Sequence, residues 1–277
     1  MKKFLIRTAT GAAFVAVLIG SILYGKASFG ILFLFITGMA AAEFSSIVKE
    51  YKKTTFSTML AVLGGAFLFI ATFATYHGAN INPITFFTPY IAIVAYAFIR
   101  QLFDTESKPL DNFAYFALSQ IYVALPFAML NILATVGAGE TTYCWLMPLS
   151  IFIFIWCNDS GAFCVGCTIG RHKLFERISP KKTWEGFIGG AVVATIAGVI
   201  MAQFFAIMNI WQWIGMALVV VASGTLGDLI ESSMKREMLI KDSGNFLPGH
   251  GGILDRFDST LLAVPCVVIY LNLIGIL

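Results

Sequence analysis

Runs of about twenty apolar residues follow one another along almost the whole chain, and no other feature limits its fold so strongly. A bilayer's hydrocarbon core is about 30 Å thick, and a helix needs about twenty residues to cross it. Within that core every backbone N–H and C=O must be satisfied internally, which for runs of this length means α-helices. Apolar residues make up 58% of the chain and charged residues 12%. A soluble domain carries about 25% charge, so this chain could not cover its own surface with polar groups. The mean hydropathy of +0.85 agrees. The expected fold is an all-α polytopic membrane protein with about nine transmembrane helices, at 4–24, 28–48, 56–76, 83–99, 113–136, 143–163, 187–208, 211–230 and 259–277. The fourth is short and contains Pro89. A cleaved signal peptide competes for the first, but its apolar part outruns an ordinary signal core and no clear A-x-A site follows, so a retained helix is expected.

The basic residues orient the chain. With the N-terminus cytoplasmic, the inner segments hold Lys2, Lys3, Arg7, Lys49, Lys52, Lys53, Arg100, Lys108, Arg171, Lys173, Arg177, Lys181, Lys182, Lys235, Arg236, Lys241 and Arg256. Of the 18 Lys and Arg only Lys26 falls outside. The positive-inside rule then places the C-terminus outside and both large basic loops inside. The expected location is the cytoplasmic (inner) membrane, with the functional face toward the cytoplasm and no nucleic-acid partner.

"RQLFDTESKPLDN" (100–112) is a polar break, and a soft boundary there divides N-terminal helices 1–4 (1–110) from helices 5–9 (111–277). Beyond it the outer connections stay brief, while inner loops lengthen over 164–186 and 231–258. Long polar loops on one face are where function gathers. Trp211 and Trp213 open the eighth span at the outer interface, where amphipathic rings settle. Cys164 and Cys167 have the C-x-x-C spacing of a metal or redox pair, but with no second Cys/His pair nearby they read as core filler.

Four carboxylates are hard to dismiss. Asp159 interrupts the sixth span in "WCNDSGAF", Asp228 closes the eighth in "ASGTLGDLIESS", and Asp255 and Asp258 open the ninth in "LDRFDS". Ionisable groups at membrane depth are costly and usually face a cavity or a site. Tyr143 to Asp159 is about 24 Å of helix and Trp211 to Asp228 about 25 Å, so these acids reach one level just under the cytoplasmic surface. Asp255 enters at that level too, and Asp255 and Asp258 share a helix face. The acids would repel one another unless a cation sat among them. An oxygen-only set suits a hard ion such as Mg²⁺, held by one or two carboxylates plus substrate phosphates. "GRHKLFERISPKKTWEG" (170–186) and "SMKREMLIK" (233–241) supply basic groups, and "PGHGG" (248–252), with His250, a glycine turn that lets backbone approach a ligand closely. Positive-inside topology and anionic lipid account for part of this basic charge, but not for the acids interleaved with it. The inventory points to metal-assisted phosphate chemistry. A phosphate nucleophile fits, because it is already ionised near neutral pH and needs no general base. Glu43, in "MAAAEFSS", lies at a similar depth in the second span. It reads either as a carboxylate that snorkels to the interface or pairs with Lys49 or Arg7, or as a group that faces the polar cavity and orders a basic phosphate-binding side chain.

"SSMKREMLIKDSGNFLPGHGGILDRFD" (232–258) resembles, at every fixed position, the signature of the phosphatidate cytidylyltransferase (CDP-diacylglycerol synthase) family. "NDSGAF", "GRHKLFERISPKKTWEG" and "SGTLGDLIESSMKR" are similar to that family's other motifs, so the likeness covers about 156–258. Phe163 departs from it, standing where Tyr is common. The resemblance implies that CTP and phosphatidic acid give CDP-diacylglycerol and pyrophosphate, with Mg²⁺ and a K⁺ ion beside it as cofactors. It implies Asp228 and Asp255 as metal ligands, and Asp159 and Asp258 as supporting acids. Lys235, Arg236, Lys241 and Arg256 are implied as phosphate binders, Lys182, Thr183 and Glu185 as a substrate-facing loop, and a homodimer as the assembly. Two other readings compete. An ion-coupled transporter would place its acids near the midplane on broken helices in related halves, and a CDP-alcohol phosphotransferase would carry a D-G-x2-A-R run, absent here.

Overall fold

The computed structural model describes residues 2–78, 82–104, 108–139, 143–244, 246 and 251–277, the side chains of 2–7 excepted. The helices are α1 (Lys2–Tyr24), α2 (Lys26–Lys52), α3 (Thr58–His77), α4 (Pro83–Arg100), α5 (Pro109–Leu118), α6 (Leu125–Leu133), α7 (Leu146–Ile169), α8 (Trp184–Phe204), α9 (Ile210–Glu237) and α10 (Leu254–Leu273). A helix thus covers each expected span. Among the described residues seven segments are long and apolar enough to cross a membrane: α2, α3, α4, α5 with α6, α7, α8 and α9. The chain is an all-α integral membrane protein.

It forms two compact units, 1–145 with 242–256, and 146–241 with 257–277. A division near residue 110 was expected from loop composition; the division by packing falls after Trp145 and draws 242–256 into the N-terminal unit.

In the first unit α2 packs on α1 and α3, and α3 on α4 and α6. The core is aromatic: Phe29 and Phe33 are fully buried with ring centroids 4.8 Å apart, and Phe33 lies 6.5 Å from Phe127. Ser57 starts α3 by accepting from Leu60 N–H, and Asn82 starts α4 ahead of Pro83, a proline where the missing N–H costs nothing. The span holding Pro89 is a continuous helix of 18 residues. The fifth span is one helix with a π-turn at Ser119–Ala124, in which Leu125 N–H donates to Gln120 O. Pro126 follows at once, and the wider turn takes up the ring's clash with the preceding carbonyls. The turned-out Gln120 donates through Nε2 to Ala61 O of α3 at 3.0 Å.

In the second unit α7 and α8 meet through small residues, as membrane helices do. A Cβ on Gly190 would lie 2.7 Å from Asn158 O, and one on Gly161 2.9 Å from Gly189 O. Asn209 and Gln212 form a capping box at the start of α9. Trp211 is exposed, but Trp213, expected at the interface, is fully buried beside Phe154, with Nε1 donating to Phe205 O. Its indole N–H finds a carbonyl at the end of α8, so the ring can leave the interface. Cys164 and Cys167 are free thiols on the exposed side of α7, not core filler, because successive i, i+3 positions on that helix face outward.

Two expected loops are more ordered than their polarity implied. α7 runs ten residues past Asp159 and α9 nine past Asp228, so Lys235 and Arg236 stand on a helix. The connection after α7 folds into an antiparallel hairpin of β1 (Lys173–Phe175) and β2 (Ser179–Thr183), with Lys173 paired to Thr183.

Candidate active site

In the second unit, Asp159 and Phe163 of α7, Lys181 and Lys182 of β2, Phe187 of α8 and Thr225 of α9 line a cavity of about 200 Å³. The hairpin places the two lysines, because a strand entering α8 directly cannot swing free. Lys182 Nζ lies 2.5 Å from Asp228 Oδ2, and Ser232 Oγ donates to Asp228 Oδ1 at 3.1 Å. A carboxylate and a cation from separate motifs are thereby joined.

Thr183 and Glu185 were both expected to face substrate; Thr183 lines the same cavity, and both residues hold the hairpin to α8. Thr183 Oγ1 is the N-cap acceptor for Gly186 N–H at 3.1 Å. Glu185 accepts from Arg171 N–H at 3.1 Å and His172 N–H at 3.2 Å, and meets His172 Nδ1 at 2.5 Å. Their polar atoms are engaged by the protein's own backbone and by His172.

Farther along α9, Lys235 Nζ pairs with Glu231 Oε2 at 2.8 Å, and the Glu231 side chain is 1% exposed. Asp258 of α10 accepts from Ser259 N–H and lies within electrostatic range of Asp228, Glu231 and Lys235. Helix α9 approaches α10 closely at Gly227, where a Cβ would be 2.7 Å from Asp258 O. Sequence reasoning passed over Glu231 and Ser232, although both sit in the quoted motif. Glu231 stands four residues before Lys235, the spacing that signals a helical ion pair.

In the first unit Asp255 Oδ2 accepts from Ser243 N–H at 2.9 Å and Gly252 N–H at 2.8 Å. Of the partners expected for Glu43, Lys49 reaches Thr58 Oγ1 instead, and the Arg7 side chain lies outside the described residues. The Glu43 carboxylate takes the Ser243 hydroxyl, Ile253 N–H at 2.9 Å and Leu254 N–H at 3.2 Å. Arg236, Lys241 and Arg256 are exposed. His250 lies outside the described residues.

Asp228 and Asp258, both in the second unit, offer oxygen donors only, which is the chemistry of a hard divalent cation. Among the described residues no three His, Cys, Asp or Glu side chains form a protein-only cage.

The chain matches the model of the Cytidylyltransferase family over residues 5–274. It is 39% identical over 184 residues to the phosphatidate cytidylyltransferase of Staphylococcus aureus (strain COL), covering 65% of this chain and 68% of that one. The proteins of the same name from Staphylococcus haemolyticus and Staphylococcus saprophyticus are 38% and 37% identical, each over 65% of this chain and 68% of theirs. A match that runs almost from end to end, on a membrane-helix frame that joins the lysine of one motif to the aspartate of another, assigns this chain to the cytidylyltransferase family.

Proposed function

We propose that the chain is a CTP-dependent nucleotidyltransferase of phospholipid biosynthesis, joining CTP to phosphatidic acid to give CDP-diacylglycerol and pyrophosphate. A phosphate oxygen of the lipid attacks the α-phosphorus of CTP; the new P–O bond forms as the bond to the β-phosphate oxygen breaks, and pyrophosphate leaves. The observation that carries this reading is the 2.5 Å contact of Lys182 with Asp228, a cation held at a carboxylate beside a cavity that Asp159 and Lys181 also line. The task in such a reaction is to bring two anions together, and fixed cations lower that barrier.

Lys181, Lys182, Arg236, Lys241, His250 and Arg256 bind phosphate oxygens in this proposal. Lys235, kept in place by Glu231, contributes charge from α9. Thr183 and Glu185 hold the hairpin that aims Lys182. Asp228 and Asp255 would hold Mg²⁺, with Asp159 and Asp258 as supporting acids and a K⁺ ion beside it. Bound there, Mg²⁺ supplies charge neutralisation at the CTP phosphates. The lipid phosphate arrives ionised, so no residue is needed as its base. The active site faces the cytoplasm from nine spans in the cytoplasmic membrane, with the N-terminus inside, the C-terminus outside and a homodimer as the assembly.

Purified protein given labelled CTP and phosphatidic acid should form labelled lipid with Mg²⁺ and none after chelation. Absence of product with Mg²⁺ and both substrates present would overturn the reading.

A further inference from the structure

Glu43 lies outside every motif that carries the family likeness, yet the signature loop closes on it. Its carboxylate receives three donors from that loop: the Ser243 hydroxyl, Ile253 N–H and Leu254 N–H. Ser243 Oγ accepts in turn from Asp255 N–H at 3.3 Å, and Asp255 Oδ2 accepts from Ser243 N–H and Gly252 N–H. One serine and two carboxylates therefore tie both ends of 243–255 together. The first N–H groups of α10 have no partners inside the helix, and a negative charge at that end is favourable.

Two glycines make room for this. A Cβ on Gly252 would collide with Glu43 Oε1, and one on Gly244 would lie 2.9 Å from Glu43 Cδ. Neither has a positive φ, so backbone conformation does not demand glycine at either position. The glycine turn was expected to admit a ligand; at Gly252 it admits Glu43.

We propose that Glu43 is a positioning residue, which fixes the backbone and carboxylate of Asp255 for metal binding. This rests on the reading of Asp255 as a metal ligand. Glutamine would keep the volume, but it offers one acceptor oxygen and an NH₂ group to a site made of donors. Loss of an orienting partner behind a metal ligand typically costs about 10- to 100-fold in affinity.

The test uses the full-length protein in detergent, with Mn²⁺ alone as the probe, read by its electron paramagnetic resonance. Glu43→Gln should weaken Mn²⁺ binding about 10- to 100-fold and speed amide exchange across 243–254. Gly252→Ala, which pushes on the same carboxylate, should do likewise. In a Glu43→Ala background the clash with the carboxylate is gone and only the one with the Ser243 hydroxyl remains, so adding Gly252→Ala should cost less than it does in the wild type. Wild-type Mn²⁺ binding and exchange in Glu43→Gln, or fully additive losses, would overturn the proposal. If Glu43→Gln does not fold, Gly244→Ala applies a gentler push on Glu43 and is read the same way. Asp255→Asn separates the two ideas. If it binds Mn²⁺ at wild-type strength, the ligand assignment fails while the exchange data still report whether Glu43 holds the loop.

Discussion

Lys182 and Asp228 form a pair whose members should not behave independently. Asp228→Asn keeps the shape but removes the charge, and should lower kcat/KM by about 10²- to 10³-fold. Lys182→Met should cost about 10- to 100-fold. The double variant should fall close to Asp228→Asn alone, because groups acting as one unit lose their function once. Steady-state kinetics at saturating Mg²⁺ checks this, and additive losses would mean that the lysine serves CTP without serving the aspartate. Lys235 makes a different claim. Lys235→Gln leaves the buried Glu231 carboxylate without its counter-charge, which typically costs about 3–5 kcal/mol. A large drop in melting temperature is expected; a rise in KM for CTP at unchanged stability would instead make Lys235 purely a phosphate contact. The aspartates stand out in the sequence because charge in an apolar run is conspicuous. The partner of Glu43 could not be read there, since backbone N–H groups are the same in every sequence and only the fold decides which carboxylate they meet.

At the scale of elements, hydropathy located the helices because a membrane span needs length and apolarity and little else. It missed the places where the backbone departs from a plain helix. The π-turn of 119–124 is a response of the chain to Pro126, and its pattern stays apolar throughout. The β1–β2 hairpin carries eight residues of mixed charge between Lys173 and Lys182 and reads as loop, since strand alternation needs a face to bury and this one has little. Helix contacts through glycine are testable directly. Gly190→Ala would drive its Cβ into Asn158 and should destabilise the second unit by about 1–3 kcal/mol. Gly20→Ala, with no atom within 4 Å of the new Cβ, should be neutral or stabilise by up to about 1 kcal/mol. Thermal melting of the two variants side by side distinguishes packing from helix propensity; equal shifts would refute the close α7–α8 contact.

For the whole molecule the number of crossing helices is tested at the two ends of the chain. The proposed orientation of the active site depends on the seven inner spans, whereas each end of the chain tests its own terminal helix. In α10 the first five residues include Asp255, Arg256 and Asp258, and Pro265 lies within, so its uncharged part is about 22 Å long. That is short of a 30 Å core, but the apolar tail to Leu277 can make up the difference, and a bilayer thins around a short span at modest cost. A reporter fused after Leu277 should therefore read as non-cytoplasmic. On the other side of the membrane, a cysteine replacing the exposed Lys181 should react with an impermeant thiol reagent only when the cytoplasmic face is opened. The native thiols must be removed first, because Cys164 and Cys167 are exposed. Labelling of the Lys181 position from outside would invert the whole arrangement and refute the cytoplasmic site. A cytoplasmic reporter at Leu277 with correct labelling at 181 would change less: α10 would then lie at the inner face without crossing, and Asp258 would meet its substrates from the water side.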